Sequence, residues 1–317
     1  MRKIAVEELK KRVEAASKEL LDGLDAEKKR GHLGASQIGH RCARQAWYSF
    51  RWFYRGQHTA RMLRLFNRGH QEEERIIRWM RAAGYKVREH SKRLVYSSQI
   101  GYNLLDWDDD LDSYDDVSDD PAHILMAKKL GLKLQQFGFV ACDGHFCGSC
   151  DGIVSGPHLP DGWGLIEFKT MNDKAFKDTV AKSVLSAKPI YWIQMQIYMN
   201  MLSLPWALFI SVNKNDDDLY FEIVNHKPEV AEQYISLAKS IIDSKQPPQR
   251  IKEDPSWFEC KYCDFREICH YDKQPDKNCR TCQYSTTAPE SNFYCELHRS
   301  NIPYDFQQTG CDKWFPH

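Results

Sequence analysis

Between residues 148 and 198 the chain carries an ordered set of groups that few folds could accommodate by accident: Gly148-Ser149-Cys150-Asp151-Gly152, then Gly164-Leu165-Ile166-Glu167-Phe168-Lys169-Thr170, then Gln194-Met195-Gln196-Ile197-Tyr198. The middle stretch is apolar and β-like. Residues two apart on a strand point to the same face, so Glu167 and Lys169 aim at one site while Phe168 packs behind. An aspartate entering a neighbouring strand would join them. Two carboxylates hold hard divalent cations through oxygen, and a lysine beside them can position water or stabilise charge on a phosphate. Gln194 and Tyr198, four apart on a helix, share one face.

At 317 residues the chain is long enough for a substantial core, as one large domain with appendages or two small ones. Its 44 basic and 44 acidic side chains cancel, but they are segregated. From Gly31 to Gln71 there is no Asp or Glu, and that window holds Arg41, Arg44, Arg51, Arg55, Arg61, Arg64 and Arg68 with four histidines. Residues 106–120 are nearly solid aspartate. A locally basic surface on a neutral protein can still bind phosphate. The start lacks the apolar core of a signal peptide, and no run approaches the length of a membrane span. The sequence therefore predicts a soluble, cytoplasmic protein. Eleven cysteines in such a chain argue for metal rather than disulfides.

Periodicity predicts a charged helix over 5–22, a helix over 40–55, and a third over 60–83 that ends at Gly84. A strand is expected over 86–96, a mobile Asp-rich loop over 103–120, and a short helix over 121–133. Strands follow over 136–142, 146–155 and 163–170, then helices over 173–185 and 189–203. A hairpin spans 206–213 and 219–225, and a helix over 227–244 closes the core. On the helix over 40–55, Arg41, Arg44, Tyr48, Arg51 and Arg55 form one stripe, with Trp47, Trp52 and Tyr54 nearby. Together with Arg61, Arg64 and Arg68 they suit a single-strand channel in which arginines follow phosphates and aromatics stack on bases. Nothing in the stripe reads base edges. A solvated basic helix face is the plainer alternative.

The order and spacing of Asp151, Glu167-Phe168-Lys169 and Gln194/Tyr198 resemble the PD-(D/E)xK nuclease superfamily, in its RecB-type branch, which includes the AddB nuclease domain, exonuclease V and the CRISPR-adaptation exonucleases. The resemblance covers about residues 36–270. It implies an α/β fold with a restriction-endonuclease-like core, a central mixed sheet flanked by helices. It also implies Asp151, Glu167 and the Phe168 carbonyl as ligands of Mg²⁺ or Mn²⁺, and Lys169 as the catalytic lysine. Gln194 and Tyr198 would touch the DNA backbone and the lysine's surroundings. An upstream helical ligand in the family corresponds here to His70, with Glu73 able to share or replace it. These two fall on one helical face with Leu63, Phe66 and Ile77 and are expected to look inward. The implied activity is a metal-dependent DNA exonuclease preferring single strands or ends, in recombination, repair or replication, with a helicase or recombination protein as partner because the chain has no phosphate loop of its own. A non-catalytic DNA-binding scaffold and a structure-specific endonuclease are the alternatives.

Cys42 together with Cys260, Cys263 and Cys269 matches the family's 4Fe–4S pattern, one early cysteine plus three late ones. Zinc on the same thiolates is the rival. Beyond the family's reach, Cys279, Cys282, Cys295 and Cys311 read as a zinc-ribbon-like site, with His298 able to displace one of them. Cys142, Cys147 and Cys150 read as packing residues. The expected organisation is a nuclease core with an N-terminal helical region over 1–245, an iron–sulfur-ligating segment over 246–275 closing onto Cys42, and a cysteine-rich metal module over 276–317.

Overall fold

The computed structural model describes all residues except 1, 26–29, 55, 57, 100, 110 and 112. The chain opens with α1 (Arg2–Asp25), β1 (Leu33–Gly34), α2 (Ala35–Ile38), α3 (Ala43–Phe50) and α4 (Ala60–Ala82). The Thr59 side chain caps α4 by accepting from Met62 N at 3.3 Å, and Gly84 ends it in a left-handed conformation, φ 88°, as a helix C-terminus favours. The expected helix over 40–55 is shorter than its pattern, because Trp52 takes a φ of 58° just beyond α3.

Next come β2 (Lys86–Arg88), β3 (Arg93–Ser97), β4 (Gly101–Leu105), β5 (Asp115–Asp116) and α5 (Pro121–Lys129). Two expectations change here. The strand over 86–96 is two strands belonging to different sheets. The Asp-rich stretch is not simply a loop: β4 and β5 flank β3 in a small antiparallel sheet, and Asp120 caps α5 by accepting from Ala122 N at 2.8 Å.

The core follows as β6 (Gly138–Ala141), β7 (Phe146–Ser149), β8 (Gly152–Ser155), β9 (Gly164–Met171), α6 (Asp173–Ala187), α7 (Pro189–Leu202), β10 (Trp206–Asn213), β11 (Leu219–Asn225) and α8 (Pro228–Asp243). The central sheet has the order β11-β10-β9-β8-β2. Only β9 and β10 run parallel, joined by the α6–α7 crossover that parallel strands require. Helices cover both faces. α4 packs Ile76, Ile77 and Met80 on Ile166, Phe168, Leu208 and Ile210. α7 and α8 enclose Leu165, Met171, Ala207 and Phe209 on the other side. This is the central mixed sheet flanked by helices expected from the sequence, with Phe168 packed behind the site.

The stretch over 146–155 is not one strand. β7 joins β1 and β6 in a separate sheet, whereas β8 belongs to the central one. The switch occurs at Cys150-Asp151. Gly152 permits it with a φ of 151°, and a Cβ there would lie 2.8 Å from Arg88 O, inside contact distance.

The C-terminal part holds α9 (Phe258–Lys261), α10 (Arg266–His270), β12 (Ser285–Ala288), β13 (Asn292–Cys295), β14 (Ser300–Ile302) and α11 (Tyr304–Gln307). Its antiparallel sheet contributes Phe293 and Ile302 to the same core that contains Leu33, Phe50 and Phe146. No helix among the described residues is long and apolar enough to cross a membrane.

Candidate active site and cysteine clusters

β8 pairs with β9 only as far as Ile166. Past that point β9 has β10 on one side and an open edge on the other, and the polar groups gather at that edge. Asp151, at the switch between sheets, accepts a 2.8 Å hydrogen bond from Phe168 N. Glu167 is 1% exposed. Its Oε1 is ion-paired with Lys169 Nζ, and its Oε2 is buried with no partner. Lys169 Nζ also donates to the Phe168 carbonyl at 2.9 Å. The Asp151 and Glu167 side chains, the Phe168 carbonyl and Lys169 thus meet at one point of the sheet. Burial pushes the Glu167 carboxyl up to about 7 against the lowering pull of Lys169. Burial would lower the Lys169 ammonium, but Glu167 and Asp151 outweigh it and hold the lysine above its ordinary range.

α4 supplies a third acid. Glu73 feels Asp151 and Lys169, and burial followed by the Asp151 charge raises it to about 7. His70 does not look inward as expected. Its side chain is 76% exposed, at the rim, with Nδ1 3.6 Å from Glu73 Oε2. Phe66 on the same supposed inner face is also exposed. The reason is geometric: only the Ile76, Ile77 and Met80 end of α4 lies on the sheet, so the preceding turns run out over the open edge. Glu72, which the sequence reading passed over, is held in the same region by Arg75 at 2.6 Å.

On α7, Tyr198 and Gln194 are both buried. Neither presents a surface to a DNA backbone, which corrects that expectation. Tyr198 Oη instead donates to Ser149 O at 2.8 Å, two residues before Asp151. A Cβ on Gly148 would come within 2.6 Å of the Tyr198 ring. Tyr198 thus braces the strand that delivers the aspartate. Tyr191, one turn before Gln194 on α7, was overlooked, and its ring centroid lies 5.2 Å from Lys169 Nζ.

Within the arginine stripe, Arg51 is structural. Arg51 is 1% exposed. It donates to the carbonyls of Arg280 at 3.2 Å, Ser285 at 3.0 Å and Ser244 at 3.4 Å, and to His317 Nε2 at 3.2 Å. Burial lowers its pKa to about 10, which leaves it charged at neutral pH. His317 is pushed down to about 4, first by burial and then by Arg51, which suits an acceptor nitrogen. Tyr48, Trp47 and Trp52 are buried and cannot stack on bases. Arg44 donates to Pro248 O at 2.7 Å, and Arg41 pairs with Glu259 at 3.3 Å. Arg64 bonds Ser17 Oγ at 3.0 Å, Arg68 bonds Lys214 O at 3.1 Å, and Arg61 is exposed on α4. Arg55 lies outside the described residues. Arg280, which no sequence signal marked, is wholly buried. Its guanidinium lies 3.8 Å from the Trp52 ring and 4.3 Å from that of Phe293.

Cys42 starts α3, and it lines one small cavity with Cys260, Cys263 and Cys269. Arg44 Nη1 lies 3.7 Å from Cys269 Sγ, a cation beside the thiols. Cys279, Cys282, Cys295 and Cys311 line another cavity, with His298. Among the described residues, no three His, Cys, Asp or Glu side chains already form a group that could hold a metal ion. Cys150 is buried, and Cys147 Sγ bonds Gly144 O at 3.3 Å.

No family model matches the chain, nor does any curated protein. Among solved structures, the chain is similar to an alkaline exonuclease (LHK-Exo) from Laribacter hongkongensis, at 17% identity and a TM-score of 0.36, over 67% of this chain and 87% of that one. The same enzyme in complex with dAMP gives 16% identity, a TM-score of 0.39 and the same coverage of each chain. SSO0001 gives 15% and 0.43 over 83% of this chain and 97% of that one. Likenesses this loose carry no weight for activity or substrate.

Proposed function

We propose that this protein is a divalent-metal-dependent deoxyribonuclease of the PD-(D/E)xK kind, an exonuclease acting on single strands or DNA ends in recombination, repair or replication. The observation that carries the reading is the meeting of Asp151, Glu167, the Phe168 carbonyl and Lys169 at the open edge of β9, with a buried Glu167 oxygen that has no partner. An orphaned carboxylate oxygen among oxygen donors fits Mg²⁺ or Mn²⁺. Asp151, Glu167 and the Phe168 carbonyl would hold the ion, with Glu73 the α4 candidate in place of His70. Such an ion supplies Lewis acidity, lowering the pKa of a water and neutralising charge on the phosphate.

The chain's own groups do the positioning. Lys169, kept protonated by two carboxylates, offers an ammonium to the phosphate or the attacking water. Glu73 brings a further carboxylate from α4 into the field of Asp151 and Lys169. Tyr198 fixes Ser149 and so the approach of Asp151. In the second part of the proposal, Cys42, Cys260, Cys263 and Cys269 hold a 4Fe–4S cluster, for which four thiols from both ends of the domain and a nearby arginine are a fitting donor set. Zinc on the same thiols is the competing occupant, and metal analysis of anaerobically purified protein separates the two.

The test is degradation of end-labelled linear single-stranded DNA with Mg²⁺ or Mn²⁺, comparing wild type with Lys169→Ala beside a circular substrate. Loss of about 10²-fold or more is expected in the variant, measured on protein that circular dichroism shows to be folded. Cleavage of the circle at a comparable rate would make the enzyme an endonuclease. Absence of cleavage by wild type on every substrate would leave a DNA-binding scaffold.

A further inference from the structure

The four cysteines of the tail have no part in the proposed hydrolysis. Cys279 opens a 3₁₀ turn over Cys279–Thr281 and Cys282 closes it; Cys295 ends β13; Cys311 follows α11. Chain segments separated by up to 32 residues (311 minus 279) therefore converge on one pocket, shared with His298 and walled by Phe306 and Trp314.

Two features of the pocket suit thiolates. Phe315 N donates to Cys282 Sγ at 3.5 Å and His298 N donates to Cys295 Sγ at 3.4 Å, and hydrogen bonds to the charged form of an acid favour that form. His298 Nε2 lies 3.7 Å from Cys311 Sγ, within reach of a hydrogen bond to that sulfur.

The tail also needs a cross-link. Between 276 and 317 only Phe293, Ile302 and Cys282 are buried apolar residues, too few to hold a three-stranded sheet by burial alone. No disulfide supplies the link, since every one of these cysteines is free.

We propose that Cys279, Cys282, Cys295 and Cys311 bind one structural zinc ion, with His298 hydrogen-bonding the Cys311 sulfur, and that this ion clamps the tail against α3. As they stand the side chains do not form a closed cage. Binding draws them inward, and the exposed Cys311 has the most room to move. The clamp keeps the Arg280 and Ser285 carbonyls in reach of Arg51, and Arg280 between Trp52 and Phe293. The proposal stands independently of the nuclease reading.

The experiment is metal analysis of full-length protein purified without added metal, for wild type, Cys295→Ser, Cys42→Ser, Cys311→Ser and His298→Ala. Cys295→Ser and Cys311→Ser are expected to hold one zinc per chain fewer than wild type, and His298→Ala the same number; Cys42→Ser, which removes the other thiol cluster, is expected to keep one. Cobalt added to chelator-stripped Cys42→Ser protein should give thiolate charge-transfer and tetrahedral d–d bands from this site alone. An unchanged zinc count in Cys295→Ser, or neither zinc nor those cobalt bands in Cys42→Ser, overturns the site. Zinc lost in His298→Ala but kept in Cys311→Ser overturns the four-thiolate assignment.

Discussion

Replacing Arg51 by Met separates its two readings, one as a phosphate-binding residue and one as a buried tie between α3 and the tail. The substitution removes the donors to Arg280 O and Ser285 O and the guanidinium 5.1 Å from the Trp47 ring, but keeps most of the apolar stem. A buried acceptor left without its donor costs about 1–3 kcal/mol, and the Arg280 and Ser285 carbonyls and His317 Nε2 all lose this one, whereas Ser244 O keeps Trp47 Nε1. Against that stands the relief of burying a cation whose Nε has no partner. The net loss is about 3 kcal/mol, which for a chain of this length lowers the melting temperature by roughly 4–5 °C. Thermal unfolding monitored by circular dichroism reads it directly. Arg61→Met, on the exposed part of α4, serves as the control and should stay within about 0.5 kcal/mol. The reasoning fails if Arg51→Met melts with wild type and instead loses affinity for single-stranded oligonucleotides.

Other consequences concern the site. Glu73→Gln should lower Mg²⁺-dependent cleavage by at least about tenfold while His70→Ala leaves it within about twofold; the reverse ranking would restore the histidine as the α4 ligand. Glu167 carries a folded pKa of about 7 against an ordinary 4.5. Between those values the unfolded chain has released a proton that the folded chain keeps, so stability falls as pH rises through the window, by up to about 1.4 kcal/mol per pH unit. Metal-stripped wild type should therefore lose melting temperature relative to Glu167→Gln between pH 5 and pH 7.5, and parallel curves would refute the buried, orphaned carboxylate. Gly148→Ala drives a Cβ against Tyr198 and should cost about 1–3 kcal/mol, with cleavage reduced more than by an equally destabilising change elsewhere.

Much of the core was legible because its signals are local. The apolar run around Glu167 gave β9, Gly84 bounded α4, and two apolar runs close in sequence gave the hairpin of β10 and β11. The bringing together of Asp151, Glu167 and Lys169 followed from side-chain parity. Features that depend on distant partners were not legible. Residues 146–155 satisfy a strand pattern throughout, and nothing nearby announces that β7 and β8 belong to different sheets. Arg51 reads as a surface residue because hydropathy cannot register acceptors 193 to 234 positions away. His70 was turned inward by a helical stripe, but α4 overhangs the sheet at that end.

The long reach of Arg51 and Arg280 has a bearing on biosynthesis. Arg280 bonds to Gly31 and Phe50 across 249 and 230 residues, so α3 and its neighbours leave the ribosome long before the side chains and carbonyls that satisfy them exist. Loop closure over such separations comes late. Until then Trp47, Phe50 and Trp52 remain uncovered next to an unpartnered cation, a state prone to association with other chains. The nascent protein thus has a checkpoint built from its own tail, and the yield of folded protein should depend on how well the cell shelters α3 while the remaining chain is made.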